Sequence, residues 1–523
     1  MRRTKKWLSG IGGMVVMGLL ITSFALASQG DTWTSAGGNR QNTRYQASEH
    51  TLSASNVGSL TPKWVLETGG DVSATPAIDA DSVYFPDWTG NLYAVDKFSG
   101  QVKWVTSIPA VTGVPGDKVR ATPAVTEDKV IIGTQGPFGG GGLVLAFNKF
   151  TGALVWATVA DTHPAAAITQ SATVFDGLVY VGVASQEEGL AALVPGYPCC
   201  SFRGSMLALD LDTGAIVWKT YMAPEGYSGS AVWGSSPAID TKRGQVYIAT
   251  GNNYSVPQEV LNCVTAAGDD PNAQAACLPA NDLFDSIMAL DRMTGEIRWA
   301  TRAIPFDAWT VDCIPFFGDG SNCPDPAGPD YDFGQAPALF TVKPNGMGKP
   351  RDLVGVGQKS GQYWALNPDS GAVVWLTQAG PGGIAGGLQW GSAVDGQRVY
   401  TANANSNSTP YTLPGGITTT DGIWSGLDAV TGAIIWQTVP SNGGSASGPV
   451  TTANGLVFGC TLDPQGYMYA LDASTGAVLW SYASGGSCLS GAAISEGMLY
   501  WGSGYSNLGL GTANNKLYAF GLP

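Results

Sequence analysis

The stretch LYAVDKFSGQVKW, residues 92–104, decides the architecture. It alternates up to Asp96, passes Gly100, and returns as a second short strand ending on Trp104. An alternating run, an Asp able to bond turn amides and a glycine free to take a positive φ predict a tight β-hairpin. The same grammar recurs as LAFNKFTGALVW (145–156), LALDLDTGAIVW (207–218), MALDRMTGEIRW (288–299), WALNPDSGAVVW (364–375), LDAVTGAIIW (427–436) and ALDASTGAVLW (470–480). Upstream halves precede several copies, as in ATPAIDADSVYF (74–85), ATPAVTEDKVIIG (121–133), SATVFDGLVYVG (171–182) and SSPAIDTKRGQVYIATG (235–251). Each tryptophan hairpin is therefore half of a four-stranded blade, its Trp wedged between neighbouring sheets. Seven copies are complete. The eighth is split between LYAFG (517–521) and LTPKW (60–64), and joining the chain ends in one blade leaves no open sheet edge. The expected fold is all-β: an eight-bladed β-propeller with tryptophan-docking repeats, closed by pairing of N- and C-terminal strands.

Composition fits this reading, with 72 Gly, 17 Trp and only 13% charged residues in 523. A net charge of −14 argues against nucleic acid or an anionic membrane surface as partner. Arg2, Arg3, Lys5 and Lys6, an apolar run from Ile11 to Leu26, and Ala25-Leu26-Ala27 have the layout of an export signal. The expected division is a signal peptide over 1–27 and the propeller over 28–523, with the mature chain periplasmic or secreted and without a membrane span. Eight cysteines in an exported chain read as disulfides, paired by proximity as Cys199–Cys200, Cys263–Cys277, Cys313–Cys323 and Cys460–Cys488. The cysteine spacings and the presence of only two histidines, His50 and His163, argue against zinc. Trp-to-Trp spacings run 40, 52, 62, 81, 76, 61 and 44 from Trp64 to Trp480. A blade needs only about 40–50 residues, so long insertions fall between Ala157 and Trp375, where a site is expected.

The repeat resembles the pyrroloquinoline quinone (PQQ)-dependent alcohol dehydrogenases, and CCSFRGS (199–205), WGSSPAID (233–240), YIATGNNYSVP (247–257), GQKSGQYWAL (357–366) and QAGPGGIAGGLQWG (378–391) resemble the polyvinyl-alcohol-dehydrogenase-like branch. The resemblance implies PQQ and calcium as cofactors, a lanthanide not being excluded. It puts Trp233 at the ring-stacking position, Arg120 at a PQQ carboxylate, where a planar guanidinium suits bidentate recognition, and Lys359 beside the quinone oxygens. Thr169, Gln170 and Gln389 match polar cofactor contacts. Asn252 matches an oxygen ligand of the metal, and Glu187 a second, with Glu188 as the alternative. The vicinal pair Cys199–Cys200 either stacks on the cofactor or staples its loop.

One segment departs from the pattern. In Pro305-Phe306-Asp307-Ala308-Trp309-Thr310-Val311-Asp312, the position of the family's catalytic Asp holds Thr310, which cannot be a base at neutral pH. Asp307 is then expected as base, with Asp312 as the other candidate and as an added metal ligand. The implied activity is oxidation of an alcohol, secondary and perhaps polymeric such as polyvinyl alcohol, by hydride transfer to the quinone. No CxxCH occurs in the sequence, so electrons would leave to an external acceptor such as a cytochrome c. The rival reading is a cofactor-free scaffold or binding propeller of the cell envelope, recruiting partners by strand addition.

Overall fold

In each repeat the third-strand carboxylate or amide gathers the turn: Asp96 Oδ1, for example, accepts from the amides of Phe98 and Ser99 at 3.1 and 2.9 Å. The following glycine is left-handed, with Gly100, Gly152, Gly214, Gly295, Gly371, Gly432 and Gly476 all at φ of 71–76°. That bare backbone is where the preceding blade's tryptophan lies. A Cβ on Gly371 would stand 2.5 Å from the Trp299 ring, and the same holds from blade to blade. The indole N–H then donates onward, Trp104 to the Lys149 carbonyl at 2.9 Å and Trp218 to that of Arg292 at 3.0 Å. A threonine two residues after the tryptophan adds a second lock: Thr106, Thr158, Thr220, Thr301, Thr377 and Thr438 each donate to the next blade's glycine carbonyl at 2.7 Å.

The computed structural model describes Met1 and residues 31–138, 140–344 and 348–523, the side chain of Leu508 excepted. The expected signal peptide lies, but for Met1, outside the described residues. Eight antiparallel sheets form the ring. The third carries an additional two-residue strand, Ala166–Ala167, and the other seven have four strands. The last blade joins Thr61–Glu67 to Lys516–Gly521, with Trp64 opposite Ala519. All four cysteine pairs form the expected disulfides. No helix among the described residues is long and apolar enough to cross a membrane.

The N-terminal segment does something that the repeat does not announce. It runs past the innermost strands, giving backbone carbonyls to Ile78, Val125, Ile239, Leu339, Val394 and Thr452 of six blades in turn. At the end of this run Arg44 is fully buried and donates to the Val450 and Ala36 carbonyls, Thr75 and Thr451. This closes the propeller axis at one end. The long insertions leave from second-to-third-strand and blade-to-blade connections, which in an up-and-down meander share the opposite face. They wall the open end of the axis.

Candidate active site

Three insertions meet at that open end. The first, in blade 3, begins with the short helix Glu187–Leu193 and runs through Cys199–Cys200. The second follows Asn252 in blade 4. The third, residues 303–337, joins blades 4 and 5. Between them lies a buried set of carboxyls, Glu188, Asp285, Asp307, Asp330 and Asp332, facing one cation, Lys359. Lys359 Nζ is 2.7 Å from Asp330 Oδ1 and 3.2 Å from Asp332 Oδ2. Asp332 also accepts from Trp233 Nε1 at 3.0 Å and from the Asn252 backbone amide at 2.6 Å. Asp332 thus ties together three residues singled out from sequence motifs, Trp233, Asn252 and Lys359.

The electrostatics follow from five acids crowded out of water, with Lys359 acting on Glu188 and Asp330 and Arg302 near Asp285. Burial pushes the Glu188 carboxyl up to about 8, helped by Asp332 and opposed by Lys359. Burial, with Asp307 and Asp332 adding to it, holds Asp285 well above the carboxylate range. Asp330 is likewise well above it by burial, although Lys359 pulls down. Asp307 is raised by burial to about 6, the amide of Tyr331 holding it down. Burial alone would lower Lys359, but Asp330, Asp332 and Glu188 outweigh it and keep the ammonium charged. Glu188 Oε1 is buried with no hydrogen-bond donor among the described residues, and the buried oxygens of Asp285 have no N–H donor there, their one partner being the Asp307 carboxyl through a shared proton. Unpaired buried oxygens are costly. A cation would relieve that cost.

The donor set fits a hard cation in part. Asn252 spends its side-chain N–H groups on the carbonyls of Asn253 and Trp309, at 3.0 and 2.8 Å, which leaves Oδ1 as the free oxygen. With Glu188 this gives two oxygen donors. No three carboxylate, histidine or cysteine groups among the described residues are gathered into a metal site by themselves. Calcium takes about six to eight oxygens, so here it would have to complete its shell from a bound, oxygen-rich ligand.

A second half of the site adjoins this cluster. The Trp233 and Trp390 rings meet edge to face at 5.5 Å, and Lys359 Nζ lies 5.6 Å over Trp233. Arg120 Cζ stands 4.9 Å over Trp390. Arg120, Thr169, Ser171, Ser235, Trp390 and Tyr505 line a pocket down the axis whose floor is Arg44. Trp390 is held at φ 65°, a conformation bulky residues rarely adopt outside functional sites. Gln389 packs with Trp233 around Gly334, and the Thr169 hydroxyl donates to the Trp233 carbonyl at 3.1 Å.

Three expected residues are placed otherwise. Glu187 faces away from the acid cluster: its carboxylate accepts from the amides of Ser201 and Phe202 and from the Tyr197 hydroxyl. It holds the loop just after Cys199–Cys200, and the alternative, Glu188, is the glutamate that lies among the buried acids. Asp312 clamps the Cys313–Cys323 loop by accepting from the amides of Gly320 and Asn322 at 3.0 and 2.7 Å. Gln170 spends both ends on backbone, at Gly234 and Gly182. Thr310 is buried and donates to the Asn322 carbonyl. Asp307 is in the cluster, but its two oxygens accept from the amides of Asp330 and Tyr331 at 3.2 and 2.8 Å. It shapes the turn that carries Asp330, itself at a left-handed φ of 58°. Asp285, Asp330, Asp332 and Trp390 were not read from the sequence; the pairing of Asp330 and Asp332 around one residue was the available signal.

Comparison with known proteins bears on the fold and the family. The family profile PQQ_2, described as outer membrane protein assembly factor BamB, matches residues 21–301 and 359–520. The polyvinylalcohol dehydrogenase of Sphingopyxis sp. (strain 113P3) is 28% identical, over 95% of this chain and 77% of its own. The polyvinylalcohol dehydrogenase of a Pseudomonas species is 27% identical, over 94% and 77%. The quinohemoprotein alcohol dehydrogenase of Comamonas testosteroni superposes with a TM-score of 0.70 at 19% identity, covering 95% of this chain and 81% of that one, a likeness of fold. The chain belongs to the PQQ_2 propeller family and, within it, to the PQQ-dependent alcohol dehydrogenases of the polyvinyl-alcohol-dehydrogenase-like branch.

Proposed function

We propose that this propeller oxidises a secondary alcohol, polymeric chains such as polyvinyl alcohol included, using PQQ and calcium at the open end of its axis. The observation that carries the reading is the buried Lys359–Asp330–Asp332 group, joined to Trp233 and Asn252 and bordered by the unpaired Glu188 oxygen and the buried carboxyl of Asp285. A scaffold propeller has no use for so costly an arrangement. In this reading Glu188 and Asn252 hold the cation, Trp233 and Trp390 border the flat ring, and Arg120 meets a carboxylate. When bound, PQQ supplies the two-electron oxidant that takes hydride from the carbinol carbon.

The proton needs its own acceptor. Lys359 would be the cation beside the quinone, and Asp330 is its 2.7 Å partner. Asp330 therefore takes the hydroxyl proton as the C–H bond breaks, burial having raised its proton affinity and Lys359 beside it pulling the other way. Asp307, gripped by amides, positions Asp330 and is not the base. This revises the expectation from the segment around Trp309. Electrons then leave to an external acceptor such as a cytochrome c. Four disulfides accord with a periplasmic or secreted setting.

The test is dye-linked oxidation of 2,4-pentanediol by purified protein with PQQ and calcium, with either alone, and with neither. Turnover only with both supports the reading; turnover independent of PQQ, or none at all, refutes it.

A further inference from the structure

The connection from blade 1 to blade 2 carries Asp117-Lys118-Val119-Arg120. Its backbone is fixed, the Gln135 amide donating to the Lys118 carbonyl at 2.7 Å. From this ledge two cations reach the same indole. Lys118 Nζ lies 5.0 Å over the Trp88 ring, and Arg120 Cζ lies 5.9 Å over it and 4.9 Å over Trp390. Trp88 is itself fixed, donating from Nε1 to Ser73 Oγ at 2.8 Å and meeting Tyr505 edge-on at 6.0 Å. Ser73, Arg120 and Tyr505 line the axial pocket.

Both cations are half-buried, and neither has a carboxylate within ion-pair distance among the described residues. Neither side chain donates a hydrogen bond to a protein oxygen among the described residues either, although the chain has 40 acidic residues to 26 basic ones. Burial, and then the nearby Arg120, holds Lys118 below the usual lysine range, so the pair repels itself. One aromatic face shared by two cations returns only a modest attraction. The missing partner is an anion. Half of the described lysines and arginines are ion-paired, such as Lys129 with Asp128 and Asp212, and the buried Arg44, which has no ion pair, donates to backbone carbonyls instead.

We propose that Lys118 and Arg120 form a two-cation clamp for a carboxylate at the mouth of the axial pocket, with Lys118 a binding residue in its own right. The carboxylate comes from the cofactor if the quinone reading holds, or from an acidic substrate if it does not. The clamp rests on that reading only for which molecule brings the anion.

The experiment titrates calcium-loaded, full-length protein with PQQ, followed by fluorescence quenching, and separately with isophthalate, followed by thermal shift. Wild type is compared with Lys118→Met, which keeps the apolar stem, and with Lys118→Arg. Loss of one charge-assisted contact should weaken PQQ about tenfold or more in Lys118→Met. Lys118→Arg should restore it, and 1,10-phenanthroline-5,6-dione, a quinone without carboxylates, should bind both alike. Unchanged PQQ affinity with lost isophthalate protection supports the clamp and moves its ligand to the substrate. Equal affinity of wild type and Lys118→Met for both probes, with equal melting temperatures, overturns the clamp. Wild type that takes up isophthalate but no PQQ overturns the quinone reading and leaves the clamp standing.

Discussion

Replacing Asp330 by Asn removes a charge while keeping the shape of a side chain that is 1% exposed. Lys359 loses its 2.7 Å partner but keeps Asp332 at 3.2 Å, so the ammonium is not stranded. Asp330 is itself held well above the carboxylate range by burial, so neutralising it lifts a strain from the fold. The melting temperature should therefore stay level or rise. Catalysis should not: general-base assistance contributes about 10²–10⁴-fold, or roughly 3–5 kcal/mol at 1.36 kcal/mol per decade. The assay is steady-state dye-linked alcohol oxidation, with PQQ affinity measured alongside. Asp330→Asn should lose kcat by that factor and bind PQQ within a few-fold of wild type. The same substitution at Asp307 should lower kcat less and lower stability more, because an amide there keeps an acceptor for one backbone N–H and turns its own NH2 toward the other. An Asp330→Asn enzyme within threefold of wild type, beside a dead Asp307→Asn, would refute the assignment.

Other outcomes follow from the same geometry. Glu188→Gln should abolish calcium-induced thermal stabilisation without lowering the apoprotein's melting temperature, whereas Glu187→Gln should cost about 1–3 kcal/mol of stability and keep the calcium response. Gly371→Ala meets both a φ of 71° and the Trp299 ring at 2.5 Å, and should destabilise by about 1–3 kcal/mol in denaturant unfolding. Asp282 and Asp307 are both pushed by burial to about 6, above their unfolded values. The folded state then binds more protons between about pH 4 and 6, so metal-free protein should melt higher at pH 5 than at pH 8. The opposite order in a calorimetric scan would contradict those environments.

The ring was legible because its signal is periodic. An Asp or Asn, a Gly and a Trp at fixed spacing carry the turn, the left-handed residue and the wedge in every blade, and even the split blade keeps LYAFG and LTPKW. The threonine two residues after each of six tryptophans is part of the same lock and was there to be read. The belt of residues 33–44 was not, since backbone carbonyls leave no side-chain signature. At the site, Trp233, Asn252 and Lys359 were found because each sits in a distinctive local motif. Glu187 and Glu188 could not be separated by sequence alone, because one helical residue turns a side chain about 100°. Asp330 and Asp332 lie beyond the Cys313–Cys323 loop, so no contiguous segment joined them to Trp309. Asp312 was singled out because it matches the position of an added metal ligand in the family that the chain resembles; in the structure the loop's amides bond its carboxylate.

The central claim is that the buried cluster at the open end of the axis is a quinone and cation site. Calorimetric titration of metal-depleted protein with PQQ, with and without calcium, tests it directly. The account predicts one PQQ per chain, tighter with calcium, and loss of binding in Lys359→Met and Trp233→Ala variants whose circular dichroism matches wild type. A well-folded wild-type protein that binds no PQQ under either condition would contradict it.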